Sequence, residues 1–329
     1  MKATVENRKA HLDELNRRIE KFTTPDEIDS IDKIVEEILE LKEKKNVVIL
    51  GHNYMTPDVF YGVSDFTGDS LALAKKAAET KADIILFDGV HFMAETAKIL
   101  SPDKKVLIAD LEAGCSLAES ISGADVRQLK KDNPGAIVVT YINCTAEVKA
   151  ESDVICTSAN AVKIVNSVKS DKVIMIPDEY LAGNVQKETD KKLITWPGKC
   201  MVHELYTEED VKLARKNYPG IVIIAHPECH PDVTKLVDYT GSTSKMSQFV
   251  EESKAKDIML LTECSMSDNL MSDFPGVNFI STCQTCPHMK KITLSKILNS
   301  LKEEKFEIDV PEDIRTRAKK ALDRMLEFS

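Results

Sequence analysis

Short apolar runs alternate with helical patterns along most of the chain, and three of these runs resemble one another. Each is typical of a buried strand, and each ends in a small residue or Thr followed by a polar ring. The rings, which are 89 and 85 residues apart, are His52, Tyr141 and His226. Two residues past the rings come Tyr54, Asn143 and Glu228. This pattern predicts parallel βα units that are repeated three times.

Each unit is predicted to continue with a second strand, a helix and a third strand. The second strands end near Phe87, Cys156 and Tyr239, and the helices lie at 91–95, 159–163 and 244–248. The third strands are 105–110, 172–178 and 258–263, each ending in a carboxylate. Ligands bind beyond the carboxyl ends of strands in open parallel sheets. Three such sheets are therefore expected to direct their strand ends at one shared centre.

Helices are predicted at both ends of the chain. Residues 1–22 form an amphipathic pattern with one apolar stripe, made of Leu12, Leu15, Ile19 and Phe22. Thr24 to Glu27 have the form of a capping box that opens a second helix. Near the other end, Thr293 caps one helix and Pro311 opens the last one, and we expect both to pack outside the first unit. The predicted division is therefore 1–45 for the N-terminal helices, 46–117, 118–202 and 203–288 for three domains, and 289–329 for helices returning to the first domain.

Composition and charge narrow the class of protein. Of the 329 residues 43% are hydrophobic and 30% charged, which is typical of a globular protein. The net charge of −10 argues against nucleic acid as a partner. No apolar run is long enough to cross a membrane, and the N-terminus lacks the apolar core of a signal peptide. We therefore expect a cytoplasmic protein, in which the eight cysteines would not form a disulfide framework.

Three cysteines follow the same repeat as the rings. Cys115, Cys200 and Cys286 are 85 and 86 residues apart and lie in loops among Gly, Pro or Lys. Three thiolates could hold zinc with a fourth ligand, or an iron–sulfur cluster with one iron left open. Cys283 could be a fourth ligand, a redox partner of Cys286 or a bystander. The remaining cysteines lie in or beside apolar runs and are interpreted as small hydrophobic residues: Cys144, Cys156, Cys229 and Cys264.

Phosphate-binding motifs give little further information. The chain contains neither a Gly-x-Gly-x-x-Gly after a strand nor a Gly-x-x-x-x-Gly-Lys loop. Residues 68–70 and 241–244 place hydroxyl groups and backbone amides at predicted helix starts, which suits a carboxylate or phosphate. Ordinary N-caps have the same composition, so both interpretations stay open.

The same segments resemble those of the quinolinate synthase family of de novo NAD biosynthesis. The matching segments are Gly-His-Asn-Tyr (51–54), Asp-Phe-Thr-Gly-Asp-Ser-Leu (65–71), Gly-Val-His-Phe-Met-Ala-Glu-Thr-Ala-Lys-Ile-Leu (89–100), Tyr-Ile-Asn (141–143), Cys-Thr-Ser-Ala-Asn-Ala (156–161), His-Pro-Glu-Cys (226–229), Gly-Ser-Thr (241–243) and Cys-Pro-His-Met-Lys-Lys (286–291). They occur in the family's order over residues 36–329. The chain departs from the family at Asp88, where many relatives have Cys, and at Ser265, where Gly is usual.

The resemblance implies an α/β fold of three Rossmann-like αβα domains in a pseudo-threefold arrangement around one [4Fe–4S] cluster. It implies a transferase that condenses iminoaspartate (iminosuccinate) with dihydroxyacetone phosphate to give quinolinate, phosphate and water. L-aspartate oxidase would supply the iminoaspartate. The implied cluster ligands are Cys115, Cys200 and Cys286. Cys283 is then not a ligand, and in some relatives an extra cysteine at this place pairs with its neighbour as a disulfide.

The resemblance also implies the residues of the active site. Substrate would be bound by His52, Ser70, Tyr141, Ile142, Asn143, Ser158, His226, Pro227, Glu228 and Thr243. We expect Glu228, with a raised pKa, to be the main general acid and base, Tyr54 to be its partner on a mobile loop, and His203 to orient substrate. Two alternatives to this function are a hydro-lyase with a similar open-iron cluster and a redox-sensing iron–sulfur protein.

Overall fold

Three four-stranded parallel sheets form the frame of the protein, which a computed structural model describes over residues 5–328. The strands of the first sheet are β1 Val47–His52, β2 Phe66–Gly68, β3 Ile84–Asp88 and β4 Lys105–Ile108. Those of the second are β5 Ile137–Tyr141, β6 Val154–Cys156, β7 Lys172–Ile176 and β8 Lys192–Thr195. Those of the third are β9 Val222–Ala225, β10 Tyr239–Thr240, β11 Asp257–Leu261 and β12 Asn278–Ile280. The strand orders are β2-β1-β3-β4, β6-β5-β7-β8 and β10-β9-β11-β12, which confirms the predicted fold class and its threefold repetition.

Helices follow most strands in each unit. The first unit contains α1 Val5–Ile19, α2 Pro25–Lys45, α3 Pro57–Gly62, α4 Ser70–Glu79, α5 His91–Leu100 and α6 Ser116–Glu119. The second contains α7 Gly123–Asp132, α8 Ala146–Ala150, α9 Ala161–Ser167 and α10 Glu179–Gln186. The third contains α11 Glu208–Asn217, α12 Pro231–Thr234, α13 Thr243–Glu252 and α14 Cys264–Asp273, and the chain ends with α15 Leu294–Glu303 and α16 Glu312–Glu327. Short 3-10 turns occupy His203–Leu205 and Met289–Lys291.

The central strands are buried along their whole length. Every residue of β1 and β3 is buried, and so are most residues of β5, β7, β9 and β11. Parallel strands covered by helices on both faces need apolar residues at successive positions rather than at alternate ones. The continuous apolar runs of the sequence therefore mark the middle of each sheet.

The predicted strand assignment of the first unit was wrong: its predicted second and third strands are the third and fourth strands of the unit. The counterpart of β6 and β10 is β2, not the strand that ends near Phe87, because β2 occupies the same edge position in its sheet. The strand 105–110 accordingly matches β8 and β12 instead of the third strands. The carboxylates at or just after the ends of the third strands are therefore Asp88, Asp178 and Glu263. All three are buried.

The N-terminal helices largely follow the predicted pattern. The capping box is confirmed, since the Glu27 carboxylate accepts a hydrogen bond from the Thr24 N–H at 2.8 Å. The first helix ends at Ile19 within the described part of the chain, and residues 1–4 of the predicted helix lie outside it. Phe22 lies beyond the helix and is 41% exposed, so its assignment to the apolar stripe was wrong.

The two C-terminal helices join different parts of the molecule. The predicted Thr293 cap is confirmed, and α15 packs against α2 of the first unit. The last helix, α16, contacts α5 of the first unit but packs mainly on α8 and β6 of the second. Arg324 donates to the Asp153 carbonyl at 2.7 Å at this contact. The helices thus bridge two units. Among the helices of residues 5–328, none combines the length and apolarity that a bilayer span requires.

Candidate active site

The three central strands end at one pocket, as the strand-end pattern predicts. His52 is the last residue of β1, Tyr141 is the last residue of β5, and His226 directly follows β9. All three rings line the same pocket. In the first and third units the backbone folds back on the ring in the same way: Tyr54 N–H donates to His52 Nδ1 at 3.2 Å, and Glu228 N–H donates to His226 Nδ1 at 3.3 Å.

Most of the predicted site residues lie in this pocket. Its lining includes His52, Tyr54, Ser70, Cys115, Tyr141, Asn143, Ser158, Cys200, His203, His226, Glu228, Thr243 and Cys286. Ile142 and Pro227 are not among the lining residues. The Ile142 N–H donates to the Cys156 carbonyl at 2.8 Å, and the Pro227 carbonyl accepts from Asn184 Nδ2 at 2.8 Å. These two residues therefore hold the backbone beside the pocket.

Both carboxylate oxygens of Glu228 have hydrogen-bonding partners in the pocket. One carboxylate oxygen accepts from the Tyr141 hydroxyl and, at 3.3 Å, from Asn143 Nδ2. The other lies 2.7 Å from His203 Nδ1. Burial alone would raise the pKa of Glu228, but pairing with His226 and His203 and the hydrogen bonds from His203 and Tyr141 lower it below the usual carboxyl range. The expected raised pKa is therefore wrong, and the pocket holds an ionised carboxylate.

The two strand-end histidines are neutral hydrogen-bonding groups. Burial, reinforced by Lys290, lowers the pKa of His52 to about 4. Burial and the neighbouring His203 and His52 lower the pKa of His226 to about 3. Because His226 Nδ1 accepts from a backbone N–H, its Nε2 carries the proton and donates to Ser158 Oγ at 3.2 Å. The pocket thus sets neutral rings beside the Glu228 carboxylate.

A chain of hydrogen bonds joins Tyr54 to Glu228 through a residue that sequence reasoning missed. The Tyr54 hydroxyl lies 2.6 Å from Thr262 Oγ1, which lies 3.0 Å from His203 Nε2. His203 Nδ1 then faces Glu228. With Tyr141 on the far side of Glu228, the chain crosses all three units. Burial and the Glu228 charge raise the pKa of Tyr54 well above its usual value, so the phenol keeps its proton.

The three repeated cysteines also line the pocket, and one backbone contact recurs behind them. In each unit a residue after the third strand donates to the carbonyl two positions before the cysteine. These bonds are His91 to Ala113 at 2.7 Å, Glu179 to Gly198 at 2.9 Å, and Cys264 to Gln284 at 3.0 Å. The repeat at 85 and 86 residues therefore reflects the same loop geometry in all three units.

The chemistry of the cysteine site fits a soft metal centre. Burial raises the pKa of Cys115 to about 12 and the pKa values of Cys200 and Cys286 above the usual thiol range. Cys115 interacts electrostatically with both other sulfurs, so the three thiols form one group. Cys200, His203 and Glu228 also offer ligand atoms within 4.8 Å of one another. Half-buried thiols that line one pocket suit a thiolate-preferring metal.

The structure pairs Cys283 with a cysteine that was not among the alternatives left open by the sequence. Cys283 forms a disulfide with Cys264, which has a Cα–Cα distance of 5.0 Å, and Cys286 is a free thiol. The assignment of Cys264 as a small hydrophobic residue was therefore wrong, and Cys286 is not the disulfide partner of Cys283. The other cysteines interpreted as hydrophobic residues are buried and unpaired: Cys144, Cys156 and Cys229.

Two helices, α4 and α13, begin at the edge of the pocket. Each has an N-cap residue, and its first helical residue lines the pocket. Asp69 caps α4 by accepting from the Ala72 N–H at 3.0 Å, and Ser242 caps α13. The first residues of these helices, Ser70 and Thr243, line the pocket. Asn53 Nδ2 donates to Thr243 Oγ1 at 2.9 Å and so joins the first unit to the third.

Several lining residues were not assigned to the site from sequence. They include Asp69, Thr157, Glu263, His288 and an apolar wall of Val90, Phe92, Met93, Met201, Val202 and Met289. For Glu263 a signal was present, since it is a carboxylate at the end of a predicted third strand. The apolar wall has no sequence signal, because its members resemble ordinary core residues.

Fold and pocket together define a three-unit α/β protein with one polar, cysteine-lined centre. The family model described as Quinolinate synthetase A protein matches residues 36–327. The chain is 54% identical over 295 residues to a quinolinate synthase of Xylella fastidiosa (strain 9a5c), covering 90% of this chain and 87% of that protein. It is 54% identical over 294 residues to a quinolinate synthase of Agrobacterium fabrum (strain C58), covering 89% and 85%. It is 51% identical over 309 residues to quinolinate synthase 2 of Mesorhizobium japonicum, covering 94% and 95%. The chain belongs to the quinolinate synthase family.

Proposed function

We propose that the protein condenses iminoaspartate (iminosuccinate) with dihydroxyacetone phosphate to form quinolinate, phosphate and water, as a transferase of NAD biosynthesis. The observation that carries this proposal is the ionised Glu228, held by groups from the second and third units in a pocket that three cysteines also line. Ring formation requires repeated proton transfers around bound anions. A fixed carboxylate among neutral donors suits that task.

Cys115, Cys200 and Cys286 would hold one [4Fe–4S] cluster per chain. Three cysteine ligands leave one iron without a protein ligand, and such an iron supplies a Lewis acid for substrate oxygens. Three half-buried thiols that line one pocket and interact electrostatically fit this group. The side chains of the pocket would carry out the proton transfers and bind the substrates.

Glu228 is the proposed general acid and base, with Tyr54 as a second proton-transfer group and His203 fixing the Glu228 carboxylate. The 2.7 Å contact to His203 Nδ1 and the bond from Tyr141 hold both carboxylate oxygens in place. An ionised carboxylate in this position accepts a proton from substrate carbon or nitrogen. Tyr54, whose pKa is raised by burial and by the Glu228 charge, can donate its phenol proton to a departing oxygen.

The remaining polar residues would bind the substrates. Tyr141 and Asn143 can hydrogen-bond a substrate carboxylate, while His52 and His226 orient the substrate as neutral rings. Ser158, Ser70 and Thr243 hold further oxygens. Ser70 and Thr243 lie in the first turns of α4 and α13, where free backbone N–H groups favour a carboxylate or phosphate. Ile142 and Pro227 would contribute only by shaping the backbone beside Asn143 and Glu228.

L-aspartate oxidase is the proposed supplier of iminoaspartate, and the cytoplasm is the proposed location. The small molecules and the supplying enzyme follow from the family resemblance. Neither a nucleic acid nor a membrane is a proposed partner.

The proposal is tested by quinolinate formation in protein purified without oxygen. Wild-type protein should form quinolinate from iminoaspartate and dihydroxyacetone phosphate. Glu228→Gln has nearly the same shape but accepts no proton, so turnover should fall by about a hundredfold to ten-thousandfold. Iron content should stay at the wild-type level in this variant. Near-normal turnover of Glu228→Gln would show that Glu228 is not the general acid and base. A wild-type protein that forms no quinolinate would contradict the proposed function.

A further inference from the structure

The turn after β1 is fastened to the third unit at three successive backbone carbonyls. Asn269 Nδ2, on α14, donates to the carbonyls of Asn53 and Met55 at 3.2 and 3.0 Å. Lys290 Nζ donates to the Tyr54 carbonyl between them at 3.0 Å. All acceptors belong to the first unit. Asn269 belongs to the third unit, and Lys290 lies in the turn directly after that unit, where it pairs with Glu263 of the third unit. The backbone around Tyr54 thus depends on residues outside its own unit for these hydrogen bonds.

Lys290 is itself fixed by a buried carboxylate. Its Nζ lies 2.8 Å from Glu263 Oε1 and 2.5 Å from Ser265 Oγ, and the Glu263 side chain has no exposed surface. A buried carboxylate without a cation is costly, so Glu263 retains the ammonium group. The same Oε1 accepts the Cys286 N–H at 3.2 Å. One carboxylate therefore anchors both the third cysteine loop and the lysine that holds the Tyr54 turn.

The phenol end of Tyr54 is held by the same region of the third unit. Thr262 Oγ1 lies 2.6 Å from the Tyr54 hydroxyl and 3.0 Å from His203 Nε2. Thr262 is buried, and its carbonyl accepts from the Tyr206 hydroxyl at 2.5 Å. Tyr54 is consequently held at both ends. Thr262, which bonds the hydroxyl, adjoins Glu263 in the sequence, and Lys290, which bonds the backbone carbonyl, pairs with Glu263. A buried side chain with both ends bonded has few alternative positions.

We propose that Thr262, Asn269 and Lys290 are positioning residues that act through Tyr54. They lie outside the lining of the pocket and set the place of the phenol relative to His203 and Glu228. The effect on turnover rests on the proposed function of the protein. The hydrogen bonds that hold the turn do not depend on that function, so they can be measured separately.

Thr262→Val tests the phenol end, because Val keeps the shape of Thr and lacks the hydroxyl. We expect kcat for quinolinate formation to fall about tenfold to a hundredfold, as small misplacements of reacting groups do. KM should change by less than about twofold, because substrate binding is untouched. Thr262→Ser, which keeps the hydroxyl, should restore kcat. In a Tyr54→Phe background, the fold-effect of Thr262→Val on kcat should be clearly smaller than in the wild-type background, since only the contact to His203 Nε2 then remains to be lost.

Lys290→Met tests the backbone end without any turnover. Hydrogen exchange at the amides of residues 53–56 should become at least about tenfold faster, because the turn loses its central contact. Lys291→Met is the matched control, since the neighbouring Lys291 makes only an exposed pair with Glu112 at 3.0 Å. Lys290→Met leaves Glu263 without its cation. The double variant Glu263→Gln with Lys290→Met removes both charges and should show the same faster exchange.

Two results would overturn the proposal. One is hydrogen exchange in the Lys290→Met and double variants that equals that of Lys291→Met. The other is a Thr262→Val effect on kcat of the same size with and without the Tyr54 hydroxyl. If wild-type protein forms no quinolinate, the proposed function fails, and the exchange measurement alone decides whether the turn is fastened as described.

Discussion

Two buried carboxyl groups, Glu228 and Asp88, have opposite ionisation states because their neighbours differ. Glu228 receives hydrogen bonds from Tyr141, Asn143 and His203, and its pKa is lowered. Asp88 has no hydrogen-bond partner at either oxygen among the described residues, and burial raises its pKa well above the usual value. Neighbouring charges together with hydrogen bonds, and not burial alone, decide which of these two carboxyl groups ionises.

Asp88→Asn should stabilise the protein increasingly as pH rises. An unfolded Asp ionises near about pH 4, while the folded Asp88 keeps its proton well above that value. The contribution of Asp88 to wild-type stability is therefore fully present below about pH 4 and falls as pH rises towards the folded pKa, by up to about 1.4 kcal/mol per pH unit. Asn has no proton to lose, so urea midpoints of the variant and the wild type should diverge between about pH 5 and 8.

The exposed Asp103 provides the control for this measurement. Asp103→Asn should show no such divergence, because the Asp103 side chain is already in contact with water in the folded protein. A constant difference between Asp88→Asn and wild type across this pH range would contradict a protonated Asp88.

From the residue pattern alone, the site could be predicted only where the sequence repeats itself, whereas residues such as His203 and Ser158 followed from the family resemblance. His52, Tyr141 and His226 recur at the ends of similar runs, so their common position followed from the pattern. Thr262 has no counterpart in that pattern, and its role depends on Tyr54 from a different unit. Contacts between units that are distant in sequence leave no local signal.

At the scale of elements, short edge strands were the main source of error. β2 has three residues, Phe66 and Thr67 of which are exposed, so it lacks the apolar run that marks a buried strand. Because β2 was not predicted, the predicted strands of the first unit were matched to the wrong strands of the other two units. Strands that are buried on both faces, such as β1 and β11, were found from sequence because their burial requires continuous apolar residues.

The disulfide that joins α14 to the loop before Cys286 can be tested by peptide mapping. Non-reducing digestion should give a linked peptide pair containing Cys264 and Cys283, because the structure joins these two sulfurs. Cys264→Ser should abolish the pair and leave Cys283 free to react with alkylating reagents. Finding Cys283 linked to Cys286 in the wild-type protein would contradict this pairing.

The last helix should stabilise the protein without taking part in its chemistry. Leu322 is fully buried where α16 packs on the second unit. Leu322→Ala should lower the free energy of unfolding by about 2–5 kcal/mol, because it removes buried methyl groups and leaves a cavity. Urea unfolding measures this loss, and the exposed Lys320→Ala on the same helix is the control. Equal stability of both variants would show that α16 does not support the second unit.

At the scale of the whole molecule, three units of one topology each contribute one strand-end group and one cysteine to a single pocket. The repeat was visible in the sequence through the spacing of rings and cysteines. The relative placement of the units was not, because contacts such as Asn53 to Thr243 join residues far apart in the chain. The pocket exists only when all three units are assembled.

The central claim is that the three units together hold one cluster through Cys115, Cys200 and Cys286. The most direct measurement is iron and acid-labile sulfide per chain after purification without oxygen. Wild-type protein and Cys283→Ser should each contain about four irons. Cys115→Ser, Cys200→Ser and Cys286→Ser should each lose most of the iron, because every cysteine is one of three ligands. Full iron content in any one of these three variants, or loss of iron in Cys283→Ser, would contradict the account.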